Sequence, residues 1–318
     1  MKIVFMGTPK AAALSLERLI SDGHEIVAVY TQPDRPSGRG NKLTFSTVKE
    51  LAVKSDLPVA QPLKIRTPEA LEEFRSHQAD IVVVVAYGRI LPEGFLNAFQ
   101  HGALNVHFSL LPKYRGAAPV NWAIVNGETE TGVTIIRMDA GLDTGDILLQ
   151  ESTSLGPEEN AIELMDRLGL LGADLISRAL KDFDRIKATP QNNSEATLAP
   201  IMKKEDGLID WSLTATEIER RVRGFQPFPG SFTFHAGARL TVWKASSVDG
   251  NADHTLAPGT ITEATGSRLI IKCGGNSLLS IEEIQPEGKR RMAVRDFLNG
   301  SRLNSGDLLN AEKVDIAT

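Results

Sequence analysis

Residues 81–86 read Ile-Val-Val-Val-Val-Ala, an apolar run with no polar interruption. A strand wetted on one side alternates apolar and polar residues. A short unbroken run fits a strand buried on both faces. Such strands belong to parallel sheets, whose crossover connections are helices. The flanking sequence keeps that rhythm. Strands are expected at Lys2 to Met6, Glu25 to Tyr30, Val59-Ala60 and Ala103 to His107, and helices at Ala11 to Ile20, Ser46 to Ser55 and Pro68 to His77. Thr131 to Met138 and Asp146 to Ser152 read as two further strands, and 157–183 as a long helix opened by Pro157-Glu158-Glu159. Alternating βα units predict an α/β domain with a doubly wound, mostly parallel sheet over residues 1–189.

The pattern then changes. Residues 190–205 are polar, contain Pro190, Pro200 and the pair Lys203-Lys204, and read as a linker. From 206 to 318 the chain turns to short strands: 230–234, 239–244, 259–263, 267–273 and 278–284. Short strands with regular turn signals predict a small OB-like β-barrel, with a helix near Ala293 to Leu298 over one end.

A dinucleotide site would need Gly-x-Gly-x-x-Gly at the first strand–helix turn, so that the backbone can approach a pyrophosphate. Here that turn is Gly7-Thr8-Pro9-Lys10-Ala11, with one of the three glycines. "SGRGNK" at 37–42 also lacks phosphate-loop spacing.

Asn105 and His107 stand two apart on a predicted strand, so both point to one face near its carboxyl end, where open α/β sheets bind ligands. The loop Asp139-Ala-Gly-Leu-Asp143-Thr-Gly145 follows the next strand, and reaches the same edge if that strand is parallel. An amide donor, an imidazole and a carboxylate suit acyl transfer to an amine. Donors hold the oxyanion, and the acid fixes the imidazole's state and handles protons. The same residues could also serve only loop backbone groups and a turn. Ser109 lacks a nucleophile elbow. Six scattered histidines and the single Cys273 make no metal cluster.

A net charge of −5 excludes a molecule coated in basic residues for nucleic acid, though not local patches. The lone cysteine excludes an intrachain disulfide and points to a reducing, cytoplasmic setting. No apolar run is long enough to span a bilayer. Thr31 to Ser46 is expected to be a long loop without structure of its own. It carries Arg35, Arg39 and Lys42 against Asp34. Loops of that length are often functional.

The stretch "NVHFSLLPKYRGAAPVNWAIVNGETETGVTIIRMDAGLDTGDIL" closely resembles the core of the folate-dependent formyltransferases. "TQPDRPSGRGNKL", "VVVVAYGRILP" and "DGLIDWS" resemble the branch that acts on methionyl-tRNA. The resemblance implies a Rossmann-like catalytic domain followed by a tRNA-binding barrel. It implies Asn105, His107 and Asp143 as the catalytic trio. It places 10-formyltetrahydrofolate, without a metal, against Ser109, Leu110, Leu111 and Pro112 and against Ala86, Tyr87, Gly88, Ile90 and Leu91. It implies contacts to initiator methionyl-tRNA from Arg35, Arg39 and Lys42, with Lys203 and Lys204 as basic neighbours, in a monomeric protein. The chain departs from the family at Phe108, where glycine is usual. On an extended strand that ring points opposite to His107. An amino-sugar formyltransferase and a non-catalytic folate or tRNA binder are the rival readings.

Overall fold

The computed structural model describes residues 1–37, 42–250 and 252–309. In chain order the elements are β1 (Lys2–Gly7), α1 (Lys10–Ser21), β2 (Glu25–Tyr30), β3 (Arg35–Ser37), β4 (Lys42–Thr44), α2 (Thr47–Lys54), β5 (Val59–Ala60) and α3 (Pro68–Ser76). Then come β6 (Ile81–Val85), α4 (Glu93–Leu96), β7 (Ala103–His107), β8 (Arg115–Gly116), α5 (Pro119–Val125), β9 (Glu130–Arg137), β10 (Ile147–Ser154), α6 (Ala161–Lys181) and β11 (Leu198–Ala199). The chain continues with α7 (Ala215–Gly224), β12 (Ser231–His235), β13 (Ala238–Val248), β14 (Ile261–Thr265), β15 (Arg268–Lys272), β16 (Leu278–Pro286), β17 (Met292–Ala293) and α8 (Val294–Asn299). Two compact units emerge. One comprises residues 1–119, 130–155 and 163–200; the other comprises 120–129, 156–162 and the chain from 201.

The first unit is built on a seven-stranded sheet in the order β10-β9-β7-β6-β1-β2-β5. β5, β2, β1, β6 and β7 run parallel to one another. All five residues of β6 are buried, as its unbroken apolar sequence requires. On one face Val4, Met6, Val82 and Val84 pack with Phe74 and Phe95, whose ring centroids lie 4.4 Å apart. Each such side chain contributes about 1.5–3 kcal/mol on burial, and that term holds the layers together. Gly7 is there for space. A Cβ on it would lie 2.7 Å from that of Ala12 and 2.9 Å from the Val85 carbonyl oxygen. The glycine that begins no dinucleotide fingerprint serves close helix–strand packing.

Two expectations change here. β9 pairs antiparallel with β7, and β10 antiparallel with β9. The loop after β9 therefore leaves from the opposite end of the sheet to the one where β7 finishes. The long helix also starts at Ala161, past the Pro-Glu-Glu run. The Asn160 side chain accepts from the Ile162 N–H at 2.9 Å and so caps it, while Glu159 instead accepts from the Gly156 N–H. Among the described residues, no helix is long and apolar enough to cross a membrane.

In the second unit the expected OB-like barrel is an antiparallel sheet of six strands, ordered β12-β13-β16-β15-β14, with β17 on β16. Helix α7 opens with a capping box in which Thr214 and Glu217 satisfy each other's backbone N–H groups. It buries Ile218 and Val222 against Val242, Ile271 and Leu279. The expected end helix is α8, which inserts Val294 into the same core. Burial pushes the Cys273 thiol up to about 12, so it is a packing residue and no nucleophile. Trp211 is 5% exposed, and its indole N–H donates to Thr233 Oγ1 at 3.2 Å. Gly259, at φ +89°, leaves the space its ring occupies. Trp211→Ala is expected to destabilise the protein by about 3–5 kcal/mol, read as a drop in the urea midpoint by circular dichroism. A shift under about 1 kcal/mol would contradict this packing.

Candidate active site

β7 alternates as its sequence predicts. Val106 and Phe108 face α6, where a Cβ on Gly172 would lie 2.9 Å from Val106 Cγ1 and 3.3 Å from Phe108 Cε1. Phe108 thus packs into the helix–sheet layer, and the ring that departs from the family pattern points away from the side of Asn105 and His107. Beyond His107 the chain is tied to the neighbouring strands. Thr134 Oγ1 donates to the Ser109 carbonyl at 2.6 Å and accepts from the Leu111 N–H at 3.2 Å, and the Gln150 amide donates to the Leu111 carbonyl at 2.9 Å. The Leu111-Pro112 peptide is cis. The Ser109 hydroxyl is engaged with its own loop, donating to the Lys113 carbonyl at 2.6 Å.

Because β9 is antiparallel, the loop after it begins beside the start of β7, with the Met138 N–H on the Ala103 carbonyl at 2.8 Å. It then folds back. The Asp139 carboxylate accepts from the Gly141 N–H and the Thr144 hydroxyl, at 3.0 and 2.7 Å. Gly145 passes so close to Arg137 that a Cβ would sit 1.8 Å from the carbonyl oxygen. This return delivers Asp143, at φ +52°, to the two β7 side chains. Its Oδ1 accepts from the Asn105 amide at 3.3 Å, and its Oδ2 accepts from the Gly116 N–H at 2.9 Å. That same Oδ2 lies 3.6 Å from His107 Nδ1, with the two side chains 14% and 5% exposed. The trio converges, though through a route other than a shared parallel edge.

The proton on His107 can be placed. Its Nε2 lies 2.9 Å from the Tyr114 carbonyl oxygen, which only accepts, so Nε2 carries the hydrogen. Burial pushes the imidazole below its ordinary pKa; the Asp143 charge and the Tyr114 carbonyl oppose that. The resting ring is neutral, with the Nδ1 lone pair turned toward Asp143. Sequence reasoning made Asn105 and His107 both donors. In this geometry Asn105 donates, and His107 first accepts a proton and donates from Nδ1 only once charged.

The other loops named from sequence occupy distinct places. Ala86 to Leu91 follows β6, the parallel neighbour of β7, and so emerges beside Ser109 to Pro112. Ala86 and Gly88 adopt φ of +45° and +83°. Tyr87 and Leu91 turn into the core, whereas Ile90 is 69% exposed. The Tyr87 carbonyl accepts from Gln32 Nε2 at 2.9 Å, and Arg89 donates to the Pro62 and Leu63 carbonyls at 2.9 and 3.1 Å. The segment 31–46, expected without structure, contains the hairpin β3–β4, with Arg35 opposite Thr44 and Ser37 opposite Lys42. Arg39 lies outside the described residues. The Asp34 carboxylate pairs with Lys49 and accepts from Gln61 Nε2 at 2.8 Å. In the second unit Lys203 and Lys204 are exposed. Arg223 and Arg291 pair with Glu219 and Glu283.

Sequence reasoning missed a set of residues that frame the trio. Gln191 Nε2 donates to the Asp143 and Gly145 carbonyls at 2.8 and 2.7 Å. Arg115 donates to Gln191 Oε1 from Nε and Nη2, at 3.0 and 2.7 Å, and to Asn193 Oδ1 at 2.8 Å. β11 pairs with β8, and Gly116 passes so near that a Cβ would meet the Ala199 carbonyl oxygen at 2.6 Å. Gln191, Asn193 and β11 fall in a stretch whose polarity reads as linker. That polarity is spent on backbone groups of the site.

Residues 1–180 match the formyl transferase family model, and residues 201–302 match its C-terminal domain. The methionyl-tRNA formyltransferase of Alkaliphilus oremlandii is 48% identical over 311 residues, covering 97% of this chain and 99% of that one. That of Geobacter sulfurreducens is 46% identical over 311 residues, covering 97% and 96%. Among solved structures, an N-formyltransferase from Helicobacter canadensis in complex with folinic acid and dTDP-3-aminofucose shares the fold, with a TM-score of 0.68 at 20% identity over 88% of this chain and 98% of that one. With both domains matched in order and close relatives aligned from end to end, the chain belongs to the formyl transferase family, within its methionyl-tRNA formyltransferase branch.

Proposed function

We propose that this chain moves a formyl group from 10-formyltetrahydrofolate to the α-amine of methionine esterified to initiator tRNA, working as a cytoplasmic monomer. The observation that carries the reading is the meeting of Asn105, His107 and Asp143 in one partly buried cluster. The names of the aligned relatives supply the substrates. The amine nitrogen bonds to the formyl carbon, and the carbonyl pair moves onto oxygen. One Asn105 N–H is held by Asp143, and the other donates to that oxyanion. His107 Nδ1 takes the proton the nitrogen must lose, directly or through water. The resulting imidazolium lies against the Asp143 carboxylate and adds its charge to the stabilisation of the adduct. The bond from carbon to the folate nitrogen then breaks, and that nitrogen receives the proton from His107.

The donor rests against Ser109, Leu110, Leu111 and Pro112 on one side and Ala86 to Leu91 on the other. Tyr87 and Leu91 act from beneath as anchors, and backbone groups do the recognition. Arg35, Arg39 and Lys42, with the pair Lys203-Lys204, contact tRNA phosphates.

His107→Ala is expected to lower kcat by about 10²- to 10⁴-fold in a formylation assay with charged initiator tRNA, with an unchanged circular dichroism spectrum. Near-normal turnover would remove His107 from the mechanism. Asp143→Asn deletes an interaction that raises the His107 pKa, so the imidazole should lose its proton at still lower pH. The acid limb of kcat/KM should therefore move downward while the maximum falls; a limb moved upward, or left in place, contradicts the assigned base. Lys203→Gln with Lys204→Gln should raise KM for the tRNA, leave kcat unchanged, and flatten the salt dependence of binding by about two in log–log slope. An unchanged slope would remove both lysines from the interface.

A further inference from the structure

We propose that Gln191 is a positioning residue, whose amide, oriented by Arg115, holds the 139–145 loop so that the Asp143 carboxylate faces Asn105 and His107. The inference rests on the reading of the trio given above, and extends it to a residue 48 positions further along the chain.

Asp143 and Gly145 sit on a loop that must double back from the far end of β9, and Asp143 does so in a left-handed backbone conformation. Such a residue persists only where its surroundings over-determine it. The bonds within the loop engage Asp139, Gly141 and Thr144, while the carbonyls of Asp143 and Gly145 take a strut from outside it. Gln191 supplies it. Its two N–H groups span the carbonyls of Asp143 and Gly145, the residues on either side of Thr144. A side-chain amide can be turned over, and its orientation decides whether it donates or accepts. Here Arg115 settles the matter. Arg115 is 7% exposed and its guanidinium aims two donors at Gln191 Oε1, so the NH₂ end must face the loop. Gly116, next to that arginine, gives its own N–H to Asp143 Oδ2. Arg115, Gly116 and Gln191 thus hold Asp143 from both ends, carboxylate and carbonyl.

The chemistry needs this because the Asp143–His107 separation governs how strongly the carboxylate supports a proton on the ring. An ångström of loop displacement in such a site can cost as much as about 10²-fold in rate. Loss of the strut moves Asp143 away from the ring and leaves the folate and tRNA contacts where they are.

The test uses Gln191→Glu and Gln191→Ala in the full chain. Glutamate keeps the length and the contact to Arg115, but sets a carboxylate against two carbonyl oxygens, so it preserves the packing and removes the donation. Two readouts are taken: steady-state formylation of methionyl-tRNA, and the NMR titration of His107 in the free protein, assigned by its loss in His107→Ala. Both variants should lose about 10- to 100-fold in kcat with KM for either substrate within about twofold, and the His107 titration should move to lower pH. An unchanged titration with full activity overturns the proposal. So does a fall in activity that comes with a raised KM and an unmoved His107, which would make Gln191 merely structural. The titration stays informative even if the wild-type protein formylates nothing, so failure of the function and failure of the positioning role give different results.

Discussion

A carboxylate removed from most of its water needs partners that favour its charge, and the arrangement of the first unit follows from how Asp143 finds them. One oxygen takes the Asn105 amide and the other takes the Gly116 N–H, with the His107 ring beyond. A neutral amide and a backbone N–H donate to the acid's two oxygens and bring no opposing charge. The ring, held by Tyr114 on its far nitrogen, keeps its near nitrogen open. The cluster can therefore receive a proton without rearranging, which is what a preorganised site offers over water.

Delivering that acid sets the demands on the backbone. β6 and β7 run side by side and end together, so the loops after them emerge as neighbours. β9 runs the other way, and its loop has to climb back along the sheet. The return is possible because Gly145 lets the chain brush Arg137 and Gly116 lets β8 meet β11. The second unit makes no such demand. Its antiparallel sheet closes on Trp211 and the aliphatic residues of α7 and α8, a core of its own.

Much of this is legible in the residues, for physical reasons. The apolar run of β6 and the two-residue spacing of Asn105 and His107 report burial and side-chain direction without ambiguity, and the rotation of Phe108 toward α6 follows from the same period. Strand direction leaves no such mark. Val133 to Ile136 would read alike in a parallel or an antiparallel strand, so the path of the Asp143 loop stays hidden. The polar stretch 190–200 misleads because hydrogen bonding to a neighbour's backbone and exposure to water select the same residue types. Two helix starts go unread although side-chain caps mark them, Asn160 before Ala161 and the Thr214–Glu217 box, and the hairpin β3–β4 carries no tight two-residue turn signal.

The clamp on the loop also has an order in time. A ribosome releases the chain from its amino end, so the seven-strand sheet and α6 can be complete before Gln191, Thr197 and β11 leave the exit tunnel. Until they do, the acid lacks its strut and the Tyr114 N–H lacks its Thr197 acceptor. A nascent chain stalled after α6 would hold a finished scaffold around a loose site, and competence would arrive with the last few residues before Pro200.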